Sequence, residues 1–288
     1  MDSLLECALF VVGLAFGSFL NVCISRIPND ESVVTPRSHC RACGATIRWH
    51  HNIPLASWLF LRGRCRDCSA RISFRYPAVE LLTAILLVAC YTKFGLTWLT
   101  LKACVFSFLV LGLIFMDAET GLLPREFTYP GILLGLTMSW TPVDNGATAF
   151  LANVFRLPVA SLAWLSVIDS LLGAFVGAGF LYVSWALYYL VRKRHGMGFG
   201  DISLMAMSGM FLGLKLTLFV IFAAPILGVL YALLLLALER RARPAPDSSG
   251  RTAFLSREIP FGTFLGACSL AAMFLGPAAW RWYLGMIR

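Results

Sequence analysis

Charge is what this sequence has little of. Only 14% of its 288 residues are Asp, Glu, Lys or Arg, whereas 59% are hydrophobic, and mean hydropathy is +0.77. A soluble domain carries nearer a quarter charged residues, so that class is excluded and an all-α polytopic membrane protein is implied. Acidic residues are scarcer still, 15 against 24 basic ones, for a net charge of +9. In a soluble chain that excess would suggest nucleic acid. Here the basic residues sit in segments between apolar runs, which points to membrane orientation, with lipid and no nucleic acid as partner. The start, Met1-Asp2-Ser3-Leu4-Leu5-Glu6, lacks the basic n-region of a signal peptide, so the first apolar stretch is read as a retained membrane helix.

Apolar periodicity gives about eight transmembrane helices: Leu4 to Ile24, Pro77 to Tyr91, Trp98 to Met116, Phe127 to Trp140, Leu162 to Val191, Asp201 to Leu212, Leu216 to Leu238 and Ile259 to Tyr283. The fifth is longer than a span requires and is expected to tilt or break at Gly177 or Gly179. Gly13, Gly17 and Ser18 give the first helix a small-residue packing face, and Asn21 near its end suits an interhelical hydrogen bond. Residues 25–76 contain nine arginines and no run of spanning length, so they form a small domain inserted between helices one and two. With that insert inside, alternation puts eighteen of the 24 basic residues on the inner side and both termini outside. Asp117 and Asp201 then fall on the same, cytoplasmic side.

Ionisable groups beside or within spans are costly and need a reason. Asp117 closes helix three in Phe-Met-Asp-Ala-Glu-Thr-Gly-Leu-Leu-Pro, and Asp201 follows a glycine hinge, Gly196-Met-Gly-Phe-Gly-Asp. Two carboxylates held close share a proton, and such a pair suits peptide hydrolysis, one activating water while the other protonates the carbonyl. Gly196, Gly198 and Gly200 would permit positive φ angles and a close backbone approach. The plainer alternatives are an N-cap role for Asp201 and an interfacial Asp117. Glu119 is the competing carboxylate, or a solvated loop acid. Glu80, about one turn into helix two, is either in a salt bridge with an arginine or part of a second polar site shared with the insert.

The insert carries Cys40-Arg-Ala-Cys43 and Cys65-Arg-Asp-Cys68, with 21 residues between the pairs. Two such knuckles fit a tetrahedral zinc site that would hold together a segment with little apolar core. Redox pairs or another metal are the alternatives, and His39 is a substitute ligand. The other five cysteines, Cys7, Cys23, Cys90, Cys104 and Cys268, lie in or near apolar runs as small hydrophobes.

Together these residues resemble the bacterial type IV prepilin peptidases, bifunctional leader peptidases and N-methyltransferases of the inner membrane. The resemblance is carried by Gly17-Ser-Phe-Leu-Asn-Val, the four-cysteine insert with Asn52-Ile-Pro-Leu, Arg75-Tyr-Pro-Ala-Val-Glu-Leu, Asp117 seven residues before Pro124, Gly196-Met-Gly-Phe-Gly-Asp201 and Ile259-Pro-Phe-Gly. It implies Asp117 and Asp201 as peptidase aspartates, structural zinc on Cys40, Cys43, Cys65 and Cys68, and S-adenosylmethionine as methyl donor. Gly198, Gly200, Glu80 and Asn21 are supporting candidates. It also implies prepilin or pseudopilin substrates of type IV pilus or type II secretion systems, and an active site facing the cytoplasm. Residues 1–92 would be the methyltransferase-associated region and 93–288 the peptidase domain.

Three positions depart from the family pattern. Leu-Pro-Asp reads Leu123-Pro124-Arg125, Asp-x-Lys-Leu reads Asp201-Ile-Ser203-Leu, and Gly-Gly-Lys before the third cysteine reads Arg62-Gly63-Arg64. The first two bear on the proton balance of the pair and on substrate choice, the third on methyl transfer. The rival class is a transporter using Asp117, Asp201 and Glu80 as a proton or cation path, against which the polar residues cluster on one side and no convincing inverted repeat is seen. A third reading is a zinc-stabilised assembly scaffold.

Overall fold

The computed structural model describes residues 2–48, 52–143, 162–193, 198–242 and 260–287. Among them are eight α-helices and no strand beyond two isolated bridges: α1 (Asp2–Arg26), α2 (Ala56–Phe60), α3 (Arg75–Phe94), α4 (Trp98–Thr120), α5 (Arg125–Thr137), α6 (Leu162–Arg192), α7 (Phe199–Ala242) and α8 (Phe261–Ile287). Six are long and apolar enough to cross a membrane. The expected fourth span, α5, has 13 residues, about 20 Å of helix against a hydrocarbon core of about 30 Å. Its start forms because Pro124 stands at the N-cap, where a missing N–H costs nothing.

The expected sixth and seventh spans are two limbs of α7, separated by Gly213 at φ 77°, ψ 173°. Only glycine takes that conformation without strain. A Cβ on Gly177 of α6 would lie 2.9 Å from Thr217 and 3.2 Å from the Met205 carbonyl. Straight helix would separate those two residues by about 18 Å, so the chain turns back sharply at Gly213. Helix α6 itself neither breaks at Gly177 nor at Gly179 but runs unbroken for 31 residues. Gly177 and Gly173 serve instead as contact points: a Cβ on Gly173 would come within 2.6 Å of Gly213 backbone. In a membrane, where lipid competes for apolar contact, such close backbone approach is a main source of helix association.

The same device joins α1 to α3. A Cβ on Gly13 would meet the Ala84 Cα at 2.5 Å, and one on Gly17 the Glu80 Cα at 2.6 Å. Helix α4 runs through the core, with Phe106, Val110, Leu113 and Met116 wholly buried, and Phe106 packs on Phe211 of α7 with ring centroids 5.0 Å apart. The Thr97 hydroxyl caps its start by accepting from Thr100 N–H, and Gly121, at φ 66°, ends it.

The insert between α1 and α3 is built differently. Among its described residues from 27 to 76, only Gly63 is buried. Trp58 is its small centre: the ring lies over Gly63, meets Phe74 edge-on at 5.8 Å, and donates through Nε1 to the Ile72 carbonyl (3.3 Å). That is too little apolar contact to hold some fifty residues.

Candidate active site

Asp117 lies in the last turn of α4, which continues past it to Thr120, and only 5% of its surface is exposed. It is buried, not interfacial. Its Oδ2 accepts from the Thr263 backbone N–H (2.6 Å) and from the Thr263 hydroxyl (2.9 Å). Thr263 sits in the first turn of α8, so Asp117 caps that helix from a neighbouring one, satisfying an otherwise orphan N–H at the positive end of its dipole. Gly262 permits this approach, since a Cβ there would stand 3.0 Å from the Asp117 carboxylate. The other oxygen, Oδ1, accepts no hydrogen bond among the described residues.

Asp201 is 7% exposed and lies in the first turn of α7, which begins at Phe199, so it is not the N-cap. Its N–H donates to the Gly198 carbonyl (3.3 Å). The two carboxylates are near enough for each charge to act on the other. Leu123 wedges between the starts of α7 and α8: a Cβ on Gly200 would meet it at 2.6 Å and one on Gly262 at 2.7 Å. Gly200 therefore serves close approach. Neither Gly198 nor Gly200 adopts a positive φ, which corrects the expectation for the hinge, and Gly196 and Met197 lie outside the described residues. Ser203, where the family pattern has lysine, donates to the Gly200 carbonyl (2.8 Å), and Arg125 is exposed at the start of α5.

Glu119 is not a loop acid. It stands in the last turn of α4 and pairs with Arg75 at the start of α3. Glu80 pairs with no arginine among the described residues. Its Oε2 accepts from the Leu55 N–H of the insert (2.8 Å), and the Ser18 hydroxyl hydrogen-bonds to it. Asn21 donates through Nδ2 to the Tyr76 carbonyl (2.9 Å), the expected interhelical bond from α1 to α3. Its Oδ1 and the Arg75 Nε are buried without a hydrogen-bond partner. Glu80, Asn21 and Arg75 thus gather where α1, α3 and the insert meet.

The four thiols of Cys40, Cys43, Cys65 and Cys68 lie within 4.8 Å of one another, and His39 is not among them. Cys40 Sγ and Cys68 Sγ are 3.8 Å apart. That is far beyond a disulfide bond of about 2.05 Å, and it matches the edge of a tetrahedron with metal–sulfur bonds of about 2.3 Å. Backbone N–H groups of Cys43 and Ala42 push the Cys40 thiol down to about 7, toward the thiolate a metal needs. The residues present fit a tetrahedral metal ion.

Three polar residues of the bundle were not singled out from the sequence. Thr263 follows the Ile259-Pro-Phe-Gly motif, whose role sequence spacing does not give. Lys102 and Asp169 are charges within apolar runs, the signal that marks functional positions in a membrane.

Fold and site thus define a multi-pass helical membrane protein with two buried carboxylates on neighbouring helices and a four-thiol insert. The Bacterial Peptidase A24 N-terminal domain model matches residues 11–94, and that of the Type IV leader peptidase family matches residues 104–233. Curated proteins named prepilin leader peptidase/N-methyltransferase are similar over most of the chain. The one from Myxococcus xanthus is 40% identical over 84% of this chain and 66% of its own length. Those from Aeromonas salmonicida (32% identical, 96% of this chain, 93% of that protein) and Neisseria gonorrhoeae (34%, 78% and 80%) extend the match. No solved structure matches the chain. The chain belongs to the type IV leader peptidase family and is an enzyme.

Proposed function

We propose that this protein is an intramembrane aspartic endopeptidase that removes the leader of type IV prepilin-like or pseudopilin precursors and then N-methylates the new terminal residue. The observation that carries the peptidase half is the buried pair: Asp117 on α4 and Asp201 on α7, each drawn from a different helix and acting on the other's charge. Thr263 occupies Oδ2 of Asp117 and fixes the carboxylate, leaving Oδ1 to orient and deprotonate a water. Asp201 then delivers the shared proton to the scissile carbonyl oxygen, and on collapse of the tetrahedral intermediate a proton returns to the leaving amine. The excess of arginine in the insert and in the segments on its side of the membrane supports a pair that works at the cytoplasmic face of the bacterial inner membrane. There an apolar pilin stem enters from lipid while acidic groups attract the basic leader.

The methyltransferase half belongs, in this reading, to residues 1–92, and the peptidase to 93–288, a division that the two separately matching family models support. Cys40, Cys43, Cys65 and Cys68 would hold one zinc ion, whose binding energy is folding energy for an insert with almost nothing buried. The methyl donor would be S-adenosylmethionine, which supplies an electrophilic methyl group. The junction of α1, α3 and the insert is where the chain offers polar atoms for such a ligand or for the target amine: Asn21 Oδ1, Arg75 Nε and the Glu80 carboxylate.

The test is a gradient-free one. Purified protein in detergent should cut a synthetic prepilin leader peptide, with no ion gradient present. Failure to cut, together with proton or cation flux through reconstituted protein that depends on Asp117 and Asp201, would replace the peptidase by the transporter.

A further inference from the structure

The helices that carry the two aspartates also carry, at their opposite ends, a second buried polar assembly. Lys102 lies on α4 fifteen residues before Asp117, about 22 Å along the helix. Gly213 ends the first limb of α7 twelve residues after Asp201, about 18 Å away. Between them stands Asp169 of α6. Lys102 is 1% and Asp169 6% exposed, and the two act on each other's charge. Lys102 Nζ donates to the Thr141 carbonyl in the turn after α5 (2.8 Å). Asp169 Oδ1 accepts from the Leu214 N–H (3.3 Å), the first residue of the second limb, and its Oδ2 lies where a Cβ on Gly213 would fall.

Asp169 therefore caps, from a neighbouring helix, the N-terminus exposed where α7 turns back. Its acceptor oxygen and negative charge both suit that end of the helix dipole. A lone carboxylate there would be costly, and Lys102 offsets its charge. The assembly ties α4, α6, α7 and the turn after α5 at one end, and the first limb of α7 is packed stiffly from there to Asp201: Leu204, Met205 and Met207 are wholly buried and Phe211 lies on Phe106.

We propose that Asp169 is a positioning residue for proteolysis, with Lys102 serving to offset its charge: the Asp169 carboxylate oxygen fixes the turn at Gly213, and through it the register of Asp201 against Asp117. This rests on the reading of those aspartates as the catalytic pair. Displacing one reacting group by about 1 Å is enough to cost orders of magnitude in rate, whereas substrate binding along the apolar stem would be unaffected.

The experiment measures kcat and KM for prepilin cleavage by purified variants, per amount of folded protein. Lys102→Met with Asp169→Asn removes both charges but keeps a side-chain oxygen for the Leu214 N–H. Lys102→Met with Asp169→Leu also removes both charges and deletes that acceptor. The asparagine pair should keep a kcat close to the parent's. The leucine pair should lose on the order of tenfold in kcat with KM unchanged. Gly213→Ala, whose Cβ would displace the Asp169 carboxylate, should show the same kcat loss, and decides the matter if the leucine pair does not fold. A brace for stability alone would lower the melting temperature and leave kcat per folded molecule untouched. Parental kcat in the folded leucine pair or in Gly213→Ala, or an equal loss in the asparagine and leucine pairs, would overturn the proposal. Asp201→Asn, run alongside, keeps the two ideas apart: cleavage surviving there contradicts the catalytic pair on which this proposal rests, whereas an inactive Asp201→Asn beside parental kcat in the folded leucine pair contradicts the positioning role alone.

Discussion

The bundle from α4 to α8 and the unit of α1, α3 and the insert meet one problem, holding polar groups where water is scarce, and meet it differently. In the bundle, apolar burial is plentiful and rigid helices place the acids. Asp117 caps α8 and Asp169 caps the second limb of α7, so each carboxylate is fixed by the N-terminus of a neighbouring helix. In the insert, burial is almost absent and four thiols gather within 4.8 Å to do the fixing. The difference teaches where each region is fragile. A bundle site should lose chemistry when one atom changes and still fold, whereas the insert should lose its structure when one ligand changes.

The largest effects expected are in the bundle. Asp117→Asn and Asp201→Asn should each reduce leader cleavage by at least about 10²-fold while the protein still inserts and folds, because a near-isosteric amide cannot exchange the proton. Peptide cleavage followed by mass spectrometry, with thermal unfolding as the folding control, checks this. If either variant cleaves normally, the pair is misassigned.

Next comes the insert. One zinc ion per chain is expected by elemental analysis, and Cys43→Ser should abolish its retention and expose the insert to proteolysis, since structural zinc contributes on the order of 10 kcal/mol to such small domains. A metal-free preparation with an intact, protease-resistant insert would erase the contrast between the regions.

A smaller effect should follow at Thr263. Thr263→Val keeps the backbone N–H to Asp117 and deletes the hydroxyl at 2.9 Å. A hydrogen bond to a charged group is worth about 1.5 kcal/mol at the low end, so cleavage should fall about tenfold. An unchanged rate would show that the N–H alone sets the carboxylate. Least of all should come from Glu119→Gln. The pair with Arg75 is part-exposed, with Glu119 39% accessible, and such pairs contribute under about 1 kcal/mol. Cleavage should stay near the parent's; an inactive Glu119→Gln beside an active Asp117→Asn would reverse the assignment of the first acid.

Much of this architecture was legible in the sequence, for physical reasons. Long apolar runs mark spans because a membrane leaves a helix no other way to satisfy its backbone, and the paired Cys-x-x-Cys spacing marks a four-ligand cluster because nothing else would hold so polar an insert. The small-residue face of Gly13 and Gly17 and the interhelical bond of Asn21 were readable for the same reason. Asp117 and Asp201 stood out as acids at the ends of apolar stretches. What the sequence hid depends on three-dimensional reversal. Nothing local says that Gly213, and not a loop, turns α7 back, or that Gly177 packs against both limbs at once. Nor does it show that Thr263, 146 residues away, holds Asp117. Glu119 looked like a solvated acid because its partner, Arg75, is distant in sequence. Lys102 and Asp169 were visible as charges in apolar runs, but only the fold shows that Lys102 reaches the Thr141 carbonyl and Asp169 the Leu214 N–H.

The central claim, two regions with separate chemistry, is tested most directly by following one pilin substrate through both reactions in the same two variants. Leader removal and N-terminal methylation each give a distinct mass shift. Asp201→Asn should lose cleavage and still methylate a supplied, already processed pilin, because methyl transfer needs a neutral amine and an aligned methyl group and no shared-proton pair. Cys43→Ser should lose methylation more than cleavage. If Cys43→Ser instead abolished cleavage and kept methylation, the insert would serve the peptidase and the division would be wrong.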